Sequence, residues 1–467
     1  MRKVGIILCG WVAVLGLGTS PALAQKKSVA EEILDILKAD NKISEQQYRD
    51  LLNKAKAESE AREAGVEAFK RDSVKDVKKS MDWLDRVSFF GDLRLRHEGF
   101  FQERKGPDSQ ARQRERVRLR FGAKMKISDE IEGGLRITSG DPNNPLTTNQ
   151  TLGDLFTRKP LSIDQAYVTV TPGKSFGLDL PWSPLSITGG KFANPLFRPK
   201  AIMNSEMIWD DDVTPEGLHE TFTLFEAADG ILRKFQLHAM QWVAKEAARS
   251  TDAWVLGGQG VANLTLLPSS QLTLGLGDYL FSKASRIAQE RNTNSSLTIT
   301  NSLVLKNGTI VKGGFPFSPS PSNPIAAYVS DFNIFNASAQ LNIDTGYAKW
   351  PLSLFADYAH NTEAQGSDDN AIWAGAGLGA TKNPGDLAFS LVWGRVETDS
   401  VLSTFNYDDF GRSGGTNVQG PIVKIDYMLL PRLTLTAKNH FVSFIDRPAG
   451  RSNSTVYRLQ LDAVLAF

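Results

Sequence analysis

The sequence predicts an all-β transmembrane fold: an antiparallel outer-membrane β-barrel of about sixteen strands, preceded by a short α-helical periplasmic segment. Three observations carry that expectation. From Val87 to the C-terminus, apolar and polar residues alternate with a period of two in segment after segment. The connections between these segments alternate between short and long. After residue 24 no apolar stretch approaches the ~18 residues that a membrane-spanning helix requires.

The N-terminus reads as a targeting segment. Arg2 and Lys3 precede the apolar run Val4 to Gly18, and Ala22-Leu23-Ala24 supplies a small-x-small cleavage pattern. Residues 1–24 are thus expected to be a signal peptide, with Gln25 the first mature residue. The single cysteine, Cys9, falls inside it, and Leu8 before it is not the small residue a lipoprotein signal wants. The mature chain then has no cysteine, which argues against a small disulfide-stapled secreted domain. Loss of Arg2 and Lys3 leaves 51 basic against 52 acidic residues, a net charge of −1 instead of +1. A nucleic-acid binder would carry a strongly basic footprint, so that class is set aside. The mean hydropathy of −0.24 fits a soluble protein and a barrel alike, because only every second barrel residue faces lipid.

Residues 25–86 form the first expected region, rich in Ala, Glu, Lys, Asp and Leu, with no proline and one glycine, Gly65. Ile33, Leu34, Ile36 and Leu37 share a helical face. Asp40-Asn41-Lys42 reads as a turn, and Ser44 with Gln47 three residues on is a capping-box start for a second helix carrying Tyr48, Leu51 and Leu52. Val74, Val77, Met81 and Leu84 follow a 3-4-3 spacing, a short heptad seam. Two readings stay open: a periplasmic coiled coil or plug, and a charged linker.

Residues 87–467 form the expected barrel. The last strand is the clearest: Tyr457, Leu459, Leu461, Ala463, Leu465 and Phe467 fall on one face, with Arg458, Gln460, Asp462, Val464 and Ala466 on the other. Alternation closing on a terminal aromatic suits a lipid-facing strand. Tyr457, Leu459, Leu461, Leu465 and Phe467 are accordingly read as a membrane-insertion signature. The same period marks strands near 87–98, 113–127, 131–139, 162–171, 185–194, 213–226, 231–243, 253–266, 271–282, 331–344, 351–360, 370–380, 386–397, 418–428, 432–444 and 455–467. The connections supply an independent check. The even-numbered ones are short, as at 128–130, 226–230 and 430–432, and the odd ones long, as at 140–161, 195–212, 283–330 and 398–417. The exception is 172–184. Short turns at one end and long loops at the other are a barrel property that a soluble sandwich has no reason to share.

Phe90-Gly91-Asp92-Leu93-Arg94-Leu95-Arg96, the Arg114–Arg120 run, Asp164-Gln165-Ala166-Tyr167-Val168, Gly190-Lys191-Phe192-Ala193-Asn194-Pro195 and the aromatic C-terminus, in that order, resemble a family of bacterial outer-membrane porins. The resemblance covers essentially the whole mature chain. It implies a sixteen-stranded general-porin architecture and, by analogy, a homotrimer.

Opposite the apolar face of the first two strands lie Arg94, Arg96, Arg114, Arg116, Arg118, Arg120, Lys124 and Lys126. On lipid each would cost ~2–4 kcal/mol at the midplane, so they are expected to line the pore. Such a column attracts anions, unless carboxylates such as Asp92, Glu98 and Glu115 neutralise it. The third outer loop folds inward in general porins, and here it would carry Arg198, Lys200, Glu206, Asp210, Asp211 and Asp212. Cations on one wall opposite acids on another give a transverse field in a constriction; the alternative is an ordinary solvated loop or a Ca²⁺ site.

Enzyme chemistry is not legible. The five histidines show no paired spacing for metal, and no G-x-S-x-G elbow appears. Gly375-Ala376-Gly377-Leu378-Gly379 reads as small residues in a barrel wall. Trp182, Trp209, Trp242, Trp350, Trp373 and Trp393 read as an interfacial girdle, with sugar stacking as the sharper alternative. The expected function is therefore passive diffusion of small hydrophilic solutes or ions across the Gram-negative outer membrane, with an anion preference, no cofactor and no catalysis. Expected partners are outer-membrane lipid, the solutes and the barrel-assembly machinery. The rivals are a substrate-specific channel for phosphate or acidic sugars, a secreted β-protein acting on polysaccharide, and an anchor whose N-terminal helices bind peptidoglycan.

Overall fold

The computed structural model describes residues 29–102, 112–178, 182–248, 250–411, 414–448 and 455–467. The expected signal peptide lies outside them. The chain divides into two units, Met1–Trp83 and Leu84–Phe467.

The first unit is a helical hairpin of α1 (Val29–Ala39) and α2 (Glu45–Met81). Asn41 takes a left-handed φ of 58°, and the Lys42 N–H donates to the Leu37 carbonyl, which closes α1. The capping box is formed: the Ser44 N–H donates to Gln47 Oε1 (2.9 Å) and the Gln47 N–H to Ser44 Oγ (3.2 Å). Tyr48 Oη donates to Asp35 Oδ1 at 2.6 Å, and Lys38 pairs with Glu45 at 2.8 Å, which pins the two helices together around the buried Leu34. The side chains of the Val74–Met81 seam lie outside those described.

The second unit is a closed antiparallel barrel of sixteen strands. They are β1 (Val87–Gln102), β2 (Arg112–Lys126), β3 (Ile131–Ser139), β4 (Leu161–Val170), β5 (Leu185–Lys191), β6 (Glu216–Glu226), β7 (Leu232–Lys245) and β8 (Ala253–Leu267). The second half is β9 (Ser270–Ser282), β10 (Asn333–Ile343), β11 (Leu352–Asn361), β12 (Asn370–Gly379), β13 (Leu387–Val396), β14 (Val418–Leu430), β15 (Leu433–Phe444) and β16 (Val456–Ala466). Each strand pairs with the next, and β16 pairs back onto β1 from Asp92↔Ala466 to Gln102↔Val456. Closure leaves no open edge, which hydrocarbon would not tolerate.

Burial is inverted relative to a water-soluble sheet. On β13, Phe389, Leu391 and Trp393 are 40–55% exposed, whereas Ala388, Ser390 and Val392 between them are at most 4% exposed. The same alternation runs through β9, where Leu274, Leu276 and Leu280 face out and Tyr279 and Phe281 face in. The apolar faces therefore point at lipid, and the interior is filled by polar groups and by the long loops. At the short-turn end Phe467 closes the barrel through mutual backbone hydrogen bonds with Gly91. A Cβ on Gly91 would lie within 2.6 Å of the Phe467 ring, so this position has to be glycine. Phe89, Phe121 and Phe467 form an aromatic patch there, and Trp350 stacks on Phe389. Tyr457, Leu459, Leu461 and Leu465 fall on the outward face of β16 with Phe467 beyond its end.

Candidate functional site: a charged lumen crossed by two loops

The inner face of β1 and β2 sets like charges opposite each other. The register pairs Arg94 with Arg118 and Arg96 with Arg116, flanked by Asp92↔Arg120 and Glu98↔Arg114. Alone this would be repulsive. Carboxylates relieve it. Arg118 Nε donates to Asp92 Oδ1 at 2.8 Å, and Arg114 pairs with Glu98. Arg96 grips Asp462 on β16 with two parallel hydrogen bonds of 2.7 and 2.8 Å, the fork geometry that guanidinium and carboxylate share. Arg458, also on β16, donates to Glu98 Oε1 at 2.9 and 2.6 Å. Arg120 pairs with Asp212, and Arg136 on β3 with Asp164 on β4.

Two members of the column stand apart. Among the described residues Arg94 meets no carboxylate at ion-pair distance, and one of its terminal nitrogens donates to Asn149 Oδ1. Arg116 lies 3.9 Å from Glu98 and otherwise reaches Thr147 Oγ1 and the Asn149 carbonyl. Lys124 and Lys126 sit at the short-turn end of β2, well exposed, beside Glu132 and Asp129. Glu115 does not belong to the column. Its register partner is His97, whose Nδ1 is 2.6 Å from Glu115 Oε1, and both sit on the outward face because they alternate with Arg96 and Arg116.

The loop 192–215 between β5 and β6 enters the lumen and runs along its wall. The Phe197 N–H donates to Gln259 Oε1 on β8, the Lys200 N–H to Gln340 Oε1 on β10, and Ser205 Oγ to Asp357 Oδ2 on β11. Ser390 Oγ on β13 donates to the Ala201 carbonyl at 2.6 Å. The wall makes room where side chains are missing: a Cβ on Gly377 of β12 would sit 2.9 Å from the Ala201 carbonyl carbon. Trp209 anchors the returning arm in an aromatic cage of Trp242, Tyr279, Phe281 and Phe405. Arg198 and Asp211 pair at 2.7 Å, Lys200 is exposed, Glu206 and Asp210 are buried, and Asp212 meets Arg120.

A second loop, 397–417 between β13 and β14, enters from the other side. The Tyr407 N–H donates to the Glu206 carbonyl (3.0 Å) and the Asp210 N–H to the Phe405 carbonyl (2.7 Å), so the two loops join inside the barrel. Asp409 at the tip accepts from Arg96 (3.2 Å) and from Gln460 Nε2 (2.8 Å), and pairs with Arg458. Tyr407 and Phe410 pack on Trp373 of β12. The acids of the two loops thus divide into two kinds. Burial would raise Asp212, but Arg120, Arg118 and Arg94 outweigh it and hold it below the usual carboxylate range. Asp409 is held low in the same way by Arg458 and Arg96. Burial pushes Glu206, Asp210 and Asp408 well up, reinforced by the carboxyls beside them.

A cavity of about 500 Å³ remains beside the loops, with Asp164, Lys191, Trp209, Asp212, Trp242 and Phe405 among its lining residues. The tryptophans divide by place: parity sends Trp393 outward and Trp242 and Trp373 inward, and Trp209 is carried in by its loop. Trp393 faces out, while Trp209, Trp242 and Trp373 are at most 3% exposed and hold the loops inside, so these three are not girdle residues. The sequence showed 398–417 as a long connection and Arg458 on the face opposite the apolar one, but neither was expected at the site. The signal for Arg458 was present in the alternation of β16; nothing in the loop's own sequence announces where its tip lands. Among the described residues no three His, Cys, Asp or Glu side chains converge as a metal cluster.

No curated protein matches the chain. Among solved structures it is similar to OprB of Pseudomonas putida at high pH, with 15% identity, a TM-score of 0.50, and coverage of 83% of this chain and 96% of that one. Others are OmpF of Salmonella typhi in complex with daunomycin (8% identity, TM-score 0.47, 82% and 97% covered) and the outer-membrane channel DcaP of Acinetobacter baumannii (11%, 0.42, 82% and 97%). At such identities the first of these speaks for the barrel fold alone. The sequence model of a family described as "Putative porin" matches residues 105–450. With that match spanning most of a sixteen-stranded outer-membrane barrel, the chain belongs to this porin family.

Proposed function

We propose that this porin conducts small hydrophilic solutes and ions by passive diffusion, with a modest preference for anions. The observation that carries the reading is the arrangement of charge across the lumen. Guanidinium groups of β1, β2 and β16 form one wall, and the acids of two inward-folded loops reach toward it. Such a gap orients polar solutes by a transverse field. The preference is modest because the column is largely neutralised by Asp92, Glu98, Asp212, Asp409 and Asp462. Its excess rests on Arg94, which meets no carboxylate at ion-pair distance among the described residues, and on Arg116, whose contact with Glu98 is long at 3.9 Å. In a bilayer with a salt gradient, the reversal potential is expected to report anions, and Arg94→Gln with Arg116→Gln to move it toward zero. An unchanged reversal potential in the double variant contradicts this assignment of the excess charge.

The same reading places the helical hairpin in the periplasm after removal of residues 1–24, and gives the β16 face ending in Phe467 to the barrel-assembly machinery. It also makes the porin a homotrimer. The outward His97–Glu115 pair supports that last point, because charge on a lipid-facing wall costs ~2–4 kcal/mol near the midplane, whereas a subunit interface can pair it. Cross-linking in native outer membranes is expected to give trimers.

A further inference from the structure

Strand register leaves Arg94 with no acid opposite it. On β2 it faces Arg118, and across the closing seam it faces Val464 on β16, whereas Arg96, the next residue on the same face, meets Asp462. Asp92, two residues before Arg94, is engaged by Arg118 at 2.7–2.8 Å. Arg116 is only slightly better served. Glu98, 3.9 Å away, is shared among Arg114, Arg458 and Gln460.

Both guanidinium groups converge on one neutral residue. Arg94 Nη2 donates to Asn149 Oδ1, and Arg116 Nη2 reaches the Asn149 carbonyl (3.4 Å) and Thr147 Oγ1 (3.2 Å). The Asn149 amide nitrogen donates to Thr147 Oγ1 at 3.0 Å, which fixes the amide with its oxygen toward Arg94. Asn149 and Arg116 are both buried. Among the described arginines, these two are the ones whose Nε–H is buried with no hydrogen-bond partner. A charged donor left in that state is costly, more so than a neutral one. Yet the pair is not sealed off. Arg94 is only partly buried on the inner face, and its Nη1 bonds to nothing among the described residues without being buried. Thr147, which holds Arg116, also lines the 500 Å³ cavity. A small turn of either guanidinium would bring its Nε–H onto a group bound at these open ends.

We infer that Arg94 and Arg116, bridged by Asn149, form a subsite on the lumen wall for the phosphate group of a passing solute. The inference rests on the anion-conducting reading above and names the solute class. Two guanidinium groups match the ~−1.5 to −2 charge that a phosphate carries near neutral pH, and their forks meet its oxygens in pairs. A carboxylate brings about half that charge, and chloride has no second oxygen to bridge a fork. The acids nearby do not oppose it, because Asp92 is paired by Arg118 and Asp462 by Arg96.

The test uses the folded full-length porin in detergent at low salt, where screening is weak, titrated by calorimetry with inorganic phosphate and separately with acetate. One saturable phosphate site is expected, with acetate the weaker ligand. Arg94→Lys with Arg116→Lys keeps both charges and removes both forks. It should weaken phosphate at least about tenfold, the loss of one or more charge-assisted hydrogen bonds, while the reversal potential in a chloride gradient stays anion-directed. No saturable phosphate binding, acetate bound as tightly as phosphate, or phosphate binding unchanged in the double lysine variant overturns the subsite, whatever the ion preference of the channel. Saturable phosphate binding that the lysine variant loses, in a channel whose reversal potential does not favour anions, supports the subsite and contradicts the conduction reading alone. Heat-modifiable gel mobility verifies that the variant keeps its barrel.

Discussion

Arg96 is held more tightly than any neighbour on its strand: only 3% exposed, it is bonded twice to Asp462 and once to Asp409. Arg96→Ala would strand the buried Asp462 while Asp409 keeps Arg458 and Gln460, and removing one partner of such a pair costs about 3–5 kcal/mol. Urea unfolding in detergent should show a loss of that order; a variant as stable as the parent would mean that these groups are wet. How much of this was legible depends on the residue. Alternation alone put Arg94, Arg96, Arg116, Arg118 and Arg120 on one face, because each lipid-facing alternative is costly. It could not name the partners, since Asp462 is 366 residues away from Arg96 and is delivered by barrel closure. Parity also corrects the reading of Glu115, which shares a strand with the arginines but not a face.

Loops 192–215 and 397–417 act as a joined pair, and two experiments address them. In Gly377→Val the new side chain meets Ala201 and Ile202 of the first loop. Overpacking of this kind costs about 1–3 kcal/mol, and the loop, tied by a few hydrogen bonds, should give before the wall. The expected result is a changed conductance with an intact barrel; unchanged conductance would show that the loop does not lie on Gly377. The second experiment is pH. Glu206, Asp210 and Asp408 are raised, so their contribution to the joined state is full below the ordinary carboxylate value of ~4 and is lost as pH rises through their raised values. Asp212 and Asp409 are depressed, so theirs is present above ~4 and lost only in strong acid. Raising the pH from mildly acidic to alkaline should therefore loosen the loop junction and increase open-channel current, and Asp210→Asn should blunt the change. A current independent of pH would contradict the junction. Loop lengths were legible as an alternation of short and long, with 171–184 remaining the long exception on the short side. The inward fold of 397–417 was not, because it depends on Asp409 finding Arg96 and Arg458 across the barrel.

At the scale of the whole molecule, lipid is what made the fold readable. A closed barrel must alternate outward apolar and inward polar residues along every strand, and the sixteen segments marked by that period are the sixteen strands found. The interior carries no such constraint. Its filling by Trp209, Trp373 and the two loops follows from which side chains happen to meet across the lumen. That is why wall and turns could be read from sequence, while of the lumen only the inward third outer loop was expected, and that from the family resemblance and not from the residues. The measurement that tests the central claim most directly is the single-channel conductance of the purified, folded protein in a planar bilayer. Stable, stepwise current with an anion-directed reversal potential in a salt gradient is the expected result. A protein that is demonstrably folded and inserted yet passes no current would mean that the two loops seal the barrel, and the account of it as a diffusion channel would be wrong.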